Sequence, residues 1–354
     1  LDRATLLFIP VFSADAHERS SEWNRPNQRG PVHQGWRTTA RNLNLNRDYM
    51  KVDAPEMRAL MRLINQWHPA LYLDLHVTDG IDYQYDITYG FHGWDGGFAW
   101  SPKVGAWLDR QWRPAMDAAL AAAGHIPGPL ISAEDNRDLR KGISSSLGDP
   151  RYSNAYGDLR HIPSVLVENH SLKPYKQRVL GTYVLLEASL KVLGDQAAAV
   201  QAAIAADSAA RPATLALNWG GPADAQTTMT FAGIAYEEYL SPASGTKEVR
   251  WLGTPKTYEK VPVMLRTKPG LQVARPRAYW VPSTHPEIIE RLKVHGIQME
   301  MVTAPQRQAV TFYRLVNPKS ADDPFEGHFA LTAGVAPESR EETFAPGSVR
   351  VPTD

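Results

Sequence analysis

The chain has 354 residues, and its 38 Lys plus Arg balance its 38 Asp plus Glu, so the formal net charge is zero. Hydrophobic residues make up 43% and charged residues 21%, which excludes a disordered chain, a collagen-like chain and a strongly basic nucleic-acid-binding protein. No apolar run reaches the ~18 residues that predict a membrane-spanning helix. Cysteine is absent, so any metal must be bound by His, Asp or Glu.

The first predicted element is a buried strand over Thr5–Phe12, because TLLFIPVF is continuously apolar. This start lacks the order of basic, apolar and small residues that defines a signal peptide. Residues 15–42 then form a long polar segment, and loops of that length inside a compact domain are commonly functional. Its two tryptophans, Trp23 and Trp36, argue against simple disorder.

A helix followed by a strand is predicted next. Asp53 is the expected N-cap, and Glu56 three residues later completes a capping box. The apolar residues at helical spacing are Met57, Leu60, Met61 and Ile64. Pro69 ends the helix, and Leu71–Leu75 predicts a strand that carries His76 at its carboxyl end. Open α/β sheets bind their ligands at that edge.

A second helix is predicted over residues 101–123, with a kink near Pro114. Its apolar face consists of Val104, Trp107, Leu108 and Trp112. A short apolar strand follows at Ser164–Val167, and Glu168 comes directly after it. The second strand therefore also carries an ionisable side chain at its end.

A further helix is predicted over Pro174–Leu193, with Gly194 as its C-cap. Residues 195–215 are predicted to form an alanine-rich helical connector. Beyond it, short apolar runs separated by Gly and Pro predict strands. The predicted fold class is α/β, with a mixed-sheet α/β/α domain over residues 1–194 and a smaller, β-rich α+β accessory domain over residues 216–354.

Three features of the first domain suggest chemistry. Glu168 closes an apolar strand, and a partly dry environment raises a carboxyl pKa toward that of a general base; a capping or salt-bridging role is the alternative. His76 closes the other strand, where a structural role is more common than metal binding. Asn46 and Arg47 place an amide beside a planar guanidinium, which suits recognition of a carboxylate.

Basic residues are concentrated between positions 19 and 51. They are Arg19, Arg25, Arg29, Arg37, Arg41, Arg47 and Lys51, opposed there only by Glu22 and Asp48. A solvated loop is one interpretation, and nucleic-acid binding is disfavoured by the neutral chain and the lack of a recognition motif. A pocket for an anionic substrate fits this pattern better.

The ordered segments IPVFSADAHER, NRPNQRG, NLNLNRDY, LYLDLHVTDG and VLVENHS resemble the zinc carboxypeptidases related to carboxypeptidase A. The resemblance covers about residues 1–190. It implies zinc as the cofactor, peptide or protein C-termini as substrates, and a periplasmic or secreted location. It also implies that His76 is the third zinc ligand and that Glu168 is the general base.

The same resemblance assigns the remaining site residues. Arg25, in NRPN, matches the arginine that polarises the scissile carbonyl group. Asn46 and Arg47 match the pair that binds the terminal carboxylate. Tyr156, with Tyr152 as the second choice, matches the tyrosine that closes over the substrate.

The resemblance breaks at the first two zinc ligands, which the family takes from an upstream HxxE pair that this sequence lacks. Three explanations stay open: the chain is part of a longer protein, it is a zinc-less pseudo-enzyme, or the match at His76 misleads. The first is favoured, because both ends look abrupt and the other site residues are retained, and it places the two other zinc ligands upstream of Leu1. Asn44 also stands where relatives often carry Asp, and Asp74 is a candidate substitute.

The leading function is therefore a zinc metallocarboxypeptidase that hydrolyses the C-terminal peptide bond. One alternative is a zinc deacylase of N-acyl amino acids, although a long loop around a peptide-sized cleft favours the peptidase. The other alternative is a zinc-less module that binds peptides or glycans. The accessory domain shows no catalytic cluster and is expected to be structural.

Overall fold

The computed structural model describes residues 3–144, 148–217 and 223–353, and it shows a mixed α/β protein, as predicted. The helices are α1 (Ala14–Glu18), α2 (Pro55–Trp67), α3 (Pro102–Trp107), α4 (Arg113–Ala122), α5 (Ser153–Leu159), α6 (Tyr175–Asp195), α7 (Ala197–Ala209) and α8 (Pro286–Val294). The strands are β1 (Tyr72–Val77), β2 (Ile87–Gly90), β3 (Pro127–Pro129), β4 (Ser132–Ala133), β5 (Ile143–Ser144), β6 (Ser164–Asn169), β7 (Thr214–Ala216), β8 (Ala225–Leu240), β9 (Lys247–Leu265), β10 (Gln272–Ala274), β11 (Ala278–Val281), β12 (Glu300–Met301), β13 (Gln306–Phe325), β14 (His328–Phe344) and β15 (Val349–Pro352).

A mixed sheet of order β1-β6-β2-β3 lies at the centre of the N-terminal region. β6 is parallel to β1 and antiparallel to β2. Val165 and Val167 of β6 are buried on one face, in a core shared with α4 and α6. The opposite face meets α2 and α5 through a second buried cluster that includes Tyr156. Helices therefore cover both faces of the sheet.

The alanine-rich helix α7 also packs into the first core, through Val200 and Ile204. Its Asp207 carboxylate accepts hydrogen bonds from the backbone N–H groups of Lys103 and Val104, at 3.2 and 2.8 Å. These groups are at the start of α3, where backbone donors have no partner within the helix. The segment predicted as a connector thus contributes packing and a helix cap.

The apolar face predicted within residues 101–123 is buried, as expected. The helix is not a single α-helix, because a π-helical turn at Leu108–Trp112 separates α3 from α4. Pro114 lies at the start of α4, directly after the π turn, where the missing N–H of proline interrupts the regular α-helical hydrogen-bond pattern. The predicted irregularity is therefore the π turn preceding this proline.

The apolar spacing predicted for α2 is also confirmed by burial, but the predicted capping box is wrong. The N-cap is Ala54, and the carboxylate that accepts its backbone N–H, at 2.9 Å, belongs to Asp48. Asp53 instead forms an ion pair with Arg291 of α8, at 2.8 Å. A tertiary partner far along the chain thus replaces the local capping interaction.

The strand predicted at Thr5–Phe12 is wrong. This segment is coil, and Phe8 is 62% exposed. No described strand pairs with it, so its backbone has no ladder of hydrogen bonds and its apolar side chains stay at the surface. Only Phe12 packs against the α2 cluster. Strand formation requires a neighbouring strand, which the local pattern cannot supply.

Gly194 was also predicted wrongly as a C-cap. It lies inside α6, which continues to Asp195, and Gln196 is the C-cap. A Cβ at Gly194 would be 3.2 Å from the Cβ of Arg3. The close approach of the chain near its first described residue explains this glycine better than helix termination does.

The C-terminal region contains two long hairpins in addition to short strands such as β11, which was predicted at Ala278–Val281. β8 pairs with β9, and β13, of 20 residues, pairs with β14. β9 also pairs in parallel with β5, with Ile143 opposite Val263, so the first hairpin extends a sheet of the N-terminal region. The second hairpin is largely exposed on both faces, which is why it lacks the alternating pattern of a half-buried strand. Among the described residues, no helix is long and apolar enough to cross a membrane.

Candidate functional site

The register of β1 and β6 brings two predicted site residues together, because His76 lies directly opposite Glu168. Asp74 precedes His76 by two residues and therefore faces the same side of the sheet. Its Oδ2 is 2.8 Å from Nε2 of His76. This contact is the one expected if Asp74 replaces Asn44 as the carboxylate partner of the site histidine. The Asn44 side chain itself accepts a hydrogen bond from the backbone N–H of Asn46, at 3.1 Å.

The Asp74–His76 pair is electrostatically strong. Burial disfavours the imidazolium form, but the Asp74 charge outweighs it and, together with Glu168, raises the pKa of His76 to about 9. Burial likewise disfavours ionised Asp74, and the contact with His76 nevertheless lowers the pKa of that carboxyl group. This face of the sheet thus favours a charged Asp74–His76 pair.

Glu168 has the environment expected of a general base. Burial raises its pKa to about 7, with Asp74 and Asp79 adding to the effect and His76 opposing it. Its Oε2 atom is buried and has no hydrogen-bond partner among the described residues. A buried, unsatisfied carboxylate oxygen is costly to a fold, so it points to a functional contact.

Glu168 borders a cavity of about 270 Å³. The cavity is also lined by Thr78, Asp79 and Tyr83, which follow β1, and by residues 130–133, which follow β3. The segment after β1 thus supplies several lining groups, while His76 lies opposite Glu168 in the strand itself. This cavity is the right size for a single side chain or a small acyl group rather than for a whole peptide.

Two arginines of the basic loop act electrostatically on residues that line this cavity. Burial and the positive charge of Arg37 lower the pKa of Arg25, whereas Asp79 raises it. The charge of Arg37 also acts on His76 and Glu168. Arg37 therefore lies within electrostatic range of Glu168, and Arg25 lies within range of Asp79. Arg37 was counted in the basic loop from the sequence but was assigned no role.

The loop is held in place from α6. Arg178 donates hydrogen bonds from its guanidinium group to the backbone carbonyl oxygens of Arg29, at 2.9 Å, and of Gly30. The backbone N–H of Arg29 also donates to the carbonyl oxygen of Ser171, at 2.8 Å. These bonds fix the chain a few residues after Arg25, so the loop is anchored close to the cavity.

Asn46 and Arg47 lie in a 3₁₀ turn, Leu45–Arg47. The guanidinium carbon of Arg47 is 4.5 Å from the ring centroid of Tyr152, a stacking distance. The Asn46 Oδ1 atom is buried and has no hydrogen-bond partner among the described residues. The structure therefore brings Tyr152, the second choice from the sequence, to the predicted carboxylate-binding pair.

Tyr156 is placed differently. It is 3% exposed and packs in the α2 cluster, with its ring 5.8 Å from that of Tyr49. Its hydroxyl group accepts a hydrogen bond from Arg160 at 2.7 Å and contacts Nδ1 of His295 at 2.8 Å. A side chain held in this way cannot close over a substrate. The structure thus favours Tyr152 over Tyr156 for that role.

The bond between Tyr156 and His295 predicts a pH dependence of stability. His295 Nε2 lies 3.0 Å from the Met50 carbonyl, which fixes the tautomer so that Nδ1 accepts from Tyr156. Burial lowers the pKa of His295, as do Arg160 and Arg291, against opposing effects of the Met50 carbonyl and Asp48. The folded state therefore binds fewer protons than the unfolded state below pH ~6.5.

We accordingly expect the contribution of His295 to the free energy of unfolding to fall as the pH drops from 7 to 5, by up to ~1.4 kcal/mol per pH unit. Denaturant unfolding at several pH values measures this slope. The slope should decrease in His295→Gln and should persist in His285→Gln, a change at an exposed histidine at the start of α8. Equal slopes in the wild type and His295→Gln would contradict the assignment.

The donor set for zinc is incomplete in the described part of the chain. Over residues 3–144, 148–217 and 223–353, no three His, Asp or Glu side chains are grouped so that they could hold a metal ion. Catalytic zinc sites use three protein ligands, and the site face supplies only His76 with its neighbour Asp74. The described residues by themselves therefore do not fit a zinc site.

The two other zinc ligands are predicted to lie upstream of Leu1. Leu1 itself lies outside the described residues, which begin at Arg3. The position of these ligands therefore stays a prediction, and the described residues supply His76 as the single member of the set that the resemblance implies.

A second cavity, of about 510 Å³, lies beside the first, and Tyr83 lines both. Its walls include residues 26–29 of the arginine-rich loop and residues 172–174. Ile234 of β8 and Gly253 of β9 complete it, so the C-terminal region contributes directly to the cleft. The sequence did not indicate this, because neither residue belongs to a recognisable motif.

Comparisons with known proteins give no match: no family model, curated protein or solved structure is similar to this chain. The geometry of the site is therefore the basis for a functional assignment.

Proposed function

We propose that this chain contains the substrate-binding and base-bearing part of a zinc-dependent carboxypeptidase. The observation that carries the proposal is the buried Glu168 carboxylate, which has a pKa raised to about 7 and an unsatisfied oxygen and lies opposite His76 at the edge of a cavity. Neither a capping role nor a salt bridge uses this free oxygen. His76 would contribute one zinc ligand, and the remaining ligands must lie outside the described residues.

The proposal assigns the following roles. Glu168 takes a proton from the attacking water and passes it to the leaving amine. Arg25, beside Asp79 and Arg37, stabilises negative charge on the carbonyl oxygen. Arg47 and Asn46 bind the terminal carboxylate, which restricts cleavage to the chain end. The 510 Å³ cavity provides room for the residues that precede the scissile bond.

The deacylase alternative uses the same base and cavity, so a substrate panel separates the two. We expect hydrolysis of N-benzoylglycyl-phenylalanine, little hydrolysis of its C-terminal amide, and slower hydrolysis of N-acetyl amino acids, with activity lost on chelation and restored by zinc. Amino-acid release measures each rate. Preference for N-acetyl amino acids would favour the deacylase, and no hydrolysis by zinc-loaded full-length protein would overturn both.

Replacement of Arg47 tests carboxylate recognition in the same panel. Arg47→Ala should raise KM for the free-acid peptide about 100-fold, because a charged, bidentate hydrogen-bonded contact is worth ~3 kcal/mol. Arg41→Ala removes a charge from an exposed position of the same segment and should leave KM unchanged. Equal effects of the two changes would show that Arg47 acts only through overall charge.

A further inference from the structure

The tip of the long β13–β14 hairpin reaches the segment that carries Asn46 and Arg47. Glu326 Oε2 accepts a hydrogen bond from the backbone N–H of Asn44 at 3.0 Å, and the Glu326 carbonyl accepts one from Lys51 Nζ at 3.3 Å. Next to it, His328 Nε2 is 2.6 Å from an Asp53 carboxylate oxygen. The hairpin thus contacts both sides of the 3₁₀ turn.

The tip also contacts the segment that carries Tyr152. Phe325 lies under Arg151, with 5.7 Å between the guanidinium carbon and the ring centroid. Arg151 directly precedes Tyr152, the ring on which Arg47 stacks. The hairpin therefore contacts both the segment that carries Arg47 and the segment that carries Tyr152.

Glu326 is unusual for its position. The hairpin turn places Glu326 and Gly327 at φ values of 50° and 81°, where turns of this type favour Asn or Asp followed by Gly. A longer side chain at positive φ is disfavoured and is retained where its surroundings require it. Glu326 is half-buried, whereas residues 321–325 and 327–330 are exposed. Its carboxylate is thus directed into the contact.

We propose that Glu326 is a positioning residue that holds the Asn44–Arg47 turn in the conformation that binds the substrate carboxylate. Its carboxylate fixes the backbone of Asn44, and the Asn44 side chain in turn accepts from the N–H of Asn46 at 3.1 Å. This role rests on the function proposed above for Asn46 and Arg47. The β13–β14 hairpin, which carries no proposed catalytic residue, thereby sets the affinity of the site for the substrate carboxylate.

The test compares Glu326→Ala with Glu326→Gln, whose amide oxygen can still accept from Asn44. In the full chain, Glu326→Ala should speed hydrogen exchange of the Asn46 and Arg47 amides at least tenfold. It should also raise KM for N-benzoylglycyl-phenylalanine about tenfold with kcat nearly unchanged, and Glu326→Gln should restore both. Glu338→Ala removes a carboxylate that pairs with Arg314 within the same hairpin, and it should change neither quantity.

Unchanged exchange in Glu326→Ala would overturn the proposal whatever the activity, as would faster exchange with unchanged KM. A general loss of stability would appear as faster exchange in α2 and β6 as well, and this outcome would also count against a local role. If wild-type protein shows no preference for the free acid over the amide, the proposed function fails. The exchange experiment still decides whether Glu326 holds the turn.

Discussion

Glu168→Gln should reduce kcat for the free-acid peptide by about 10²–10⁴-fold, with little change in KM. The substitution keeps the shape of the side chain and removes its ability to accept a proton. Glu168 is the carboxylate on the site face that combines burial, a raised pKa of about 7 and a free oxygen. Steady-state kinetics on the zinc-supplemented full-length protein measures the effect.

Stability separates a catalytic Glu168 from a structural one. Because burial raises its pKa, ionised Glu168 lowers the stability of the fold above about pH 7. Glu168→Gln should therefore leave Tm at pH 8 unchanged or higher. Glu187→Gln, at an exposed position of α6, should leave both kcat and Tm unchanged. A lower Tm together with full activity would assign Glu168 a structural role.

Arg25→Ala is expected to have the second-largest effect, a loss of about 10²–10³-fold in kcat, which corresponds to ~3–4 kcal/mol of transition-state stabilisation. Arg25 is partly buried, and this burial, together with the charge of Arg37, lowers its pKa. Two guanidinium groups held together with Asp79 as a nearby carboxylate suit an anion that develops during the reaction. Single-turnover rates measure the chemical step directly.

The matched control is Arg19→Ala in the same loop. Arg19 stacks on Trp36, with 5.3 Å from its guanidinium carbon to the ring centroid, and it is exposed. This change should leave kcat within about twofold, as exposed cation–π contacts contribute only ~0.5–1 kcal/mol. If both changes reduce kcat equally, the loop acts through its conformation and not through the Arg25 charge.

Sequence patterns predicted the elements whose stability depends on local periodicity. The apolar faces of α2 and of the helix over residues 101–123 were correct, because burial of a helical stripe follows directly from residue spacing. The strand ends that carry His76 and Glu168 were also correctly placed, to within one or two residues. Thr5–Phe12 failed because an apolar run becomes a strand only beside another strand.

The candidate site was likewise predictable only in the part that depends on local sequence. From the residues themselves, Glu168, His76 and Arg47 could be selected as chemically suited, whereas Arg25 was distinguished from the other basic residues of its loop only by the family resemblance. Their order along the chain did not show which of two tyrosines lies beside Arg47. That choice depends on how residues 148–152 pack against the 3₁₀ turn, and the structure selects Tyr152.

The sequence by itself determined the residue types and the local elements, because composition and periodicity act through neighbours along the chain. Only the tertiary structure decided that Asp74 contacts His76, that the charge of Arg37 acts on Glu168, and that the β8–β9 hairpin lines the larger cavity. The contact between Asn44 and Glu326 joins residues 282 positions apart. Such contacts arise from the packing of whole elements, and no local pattern encodes them.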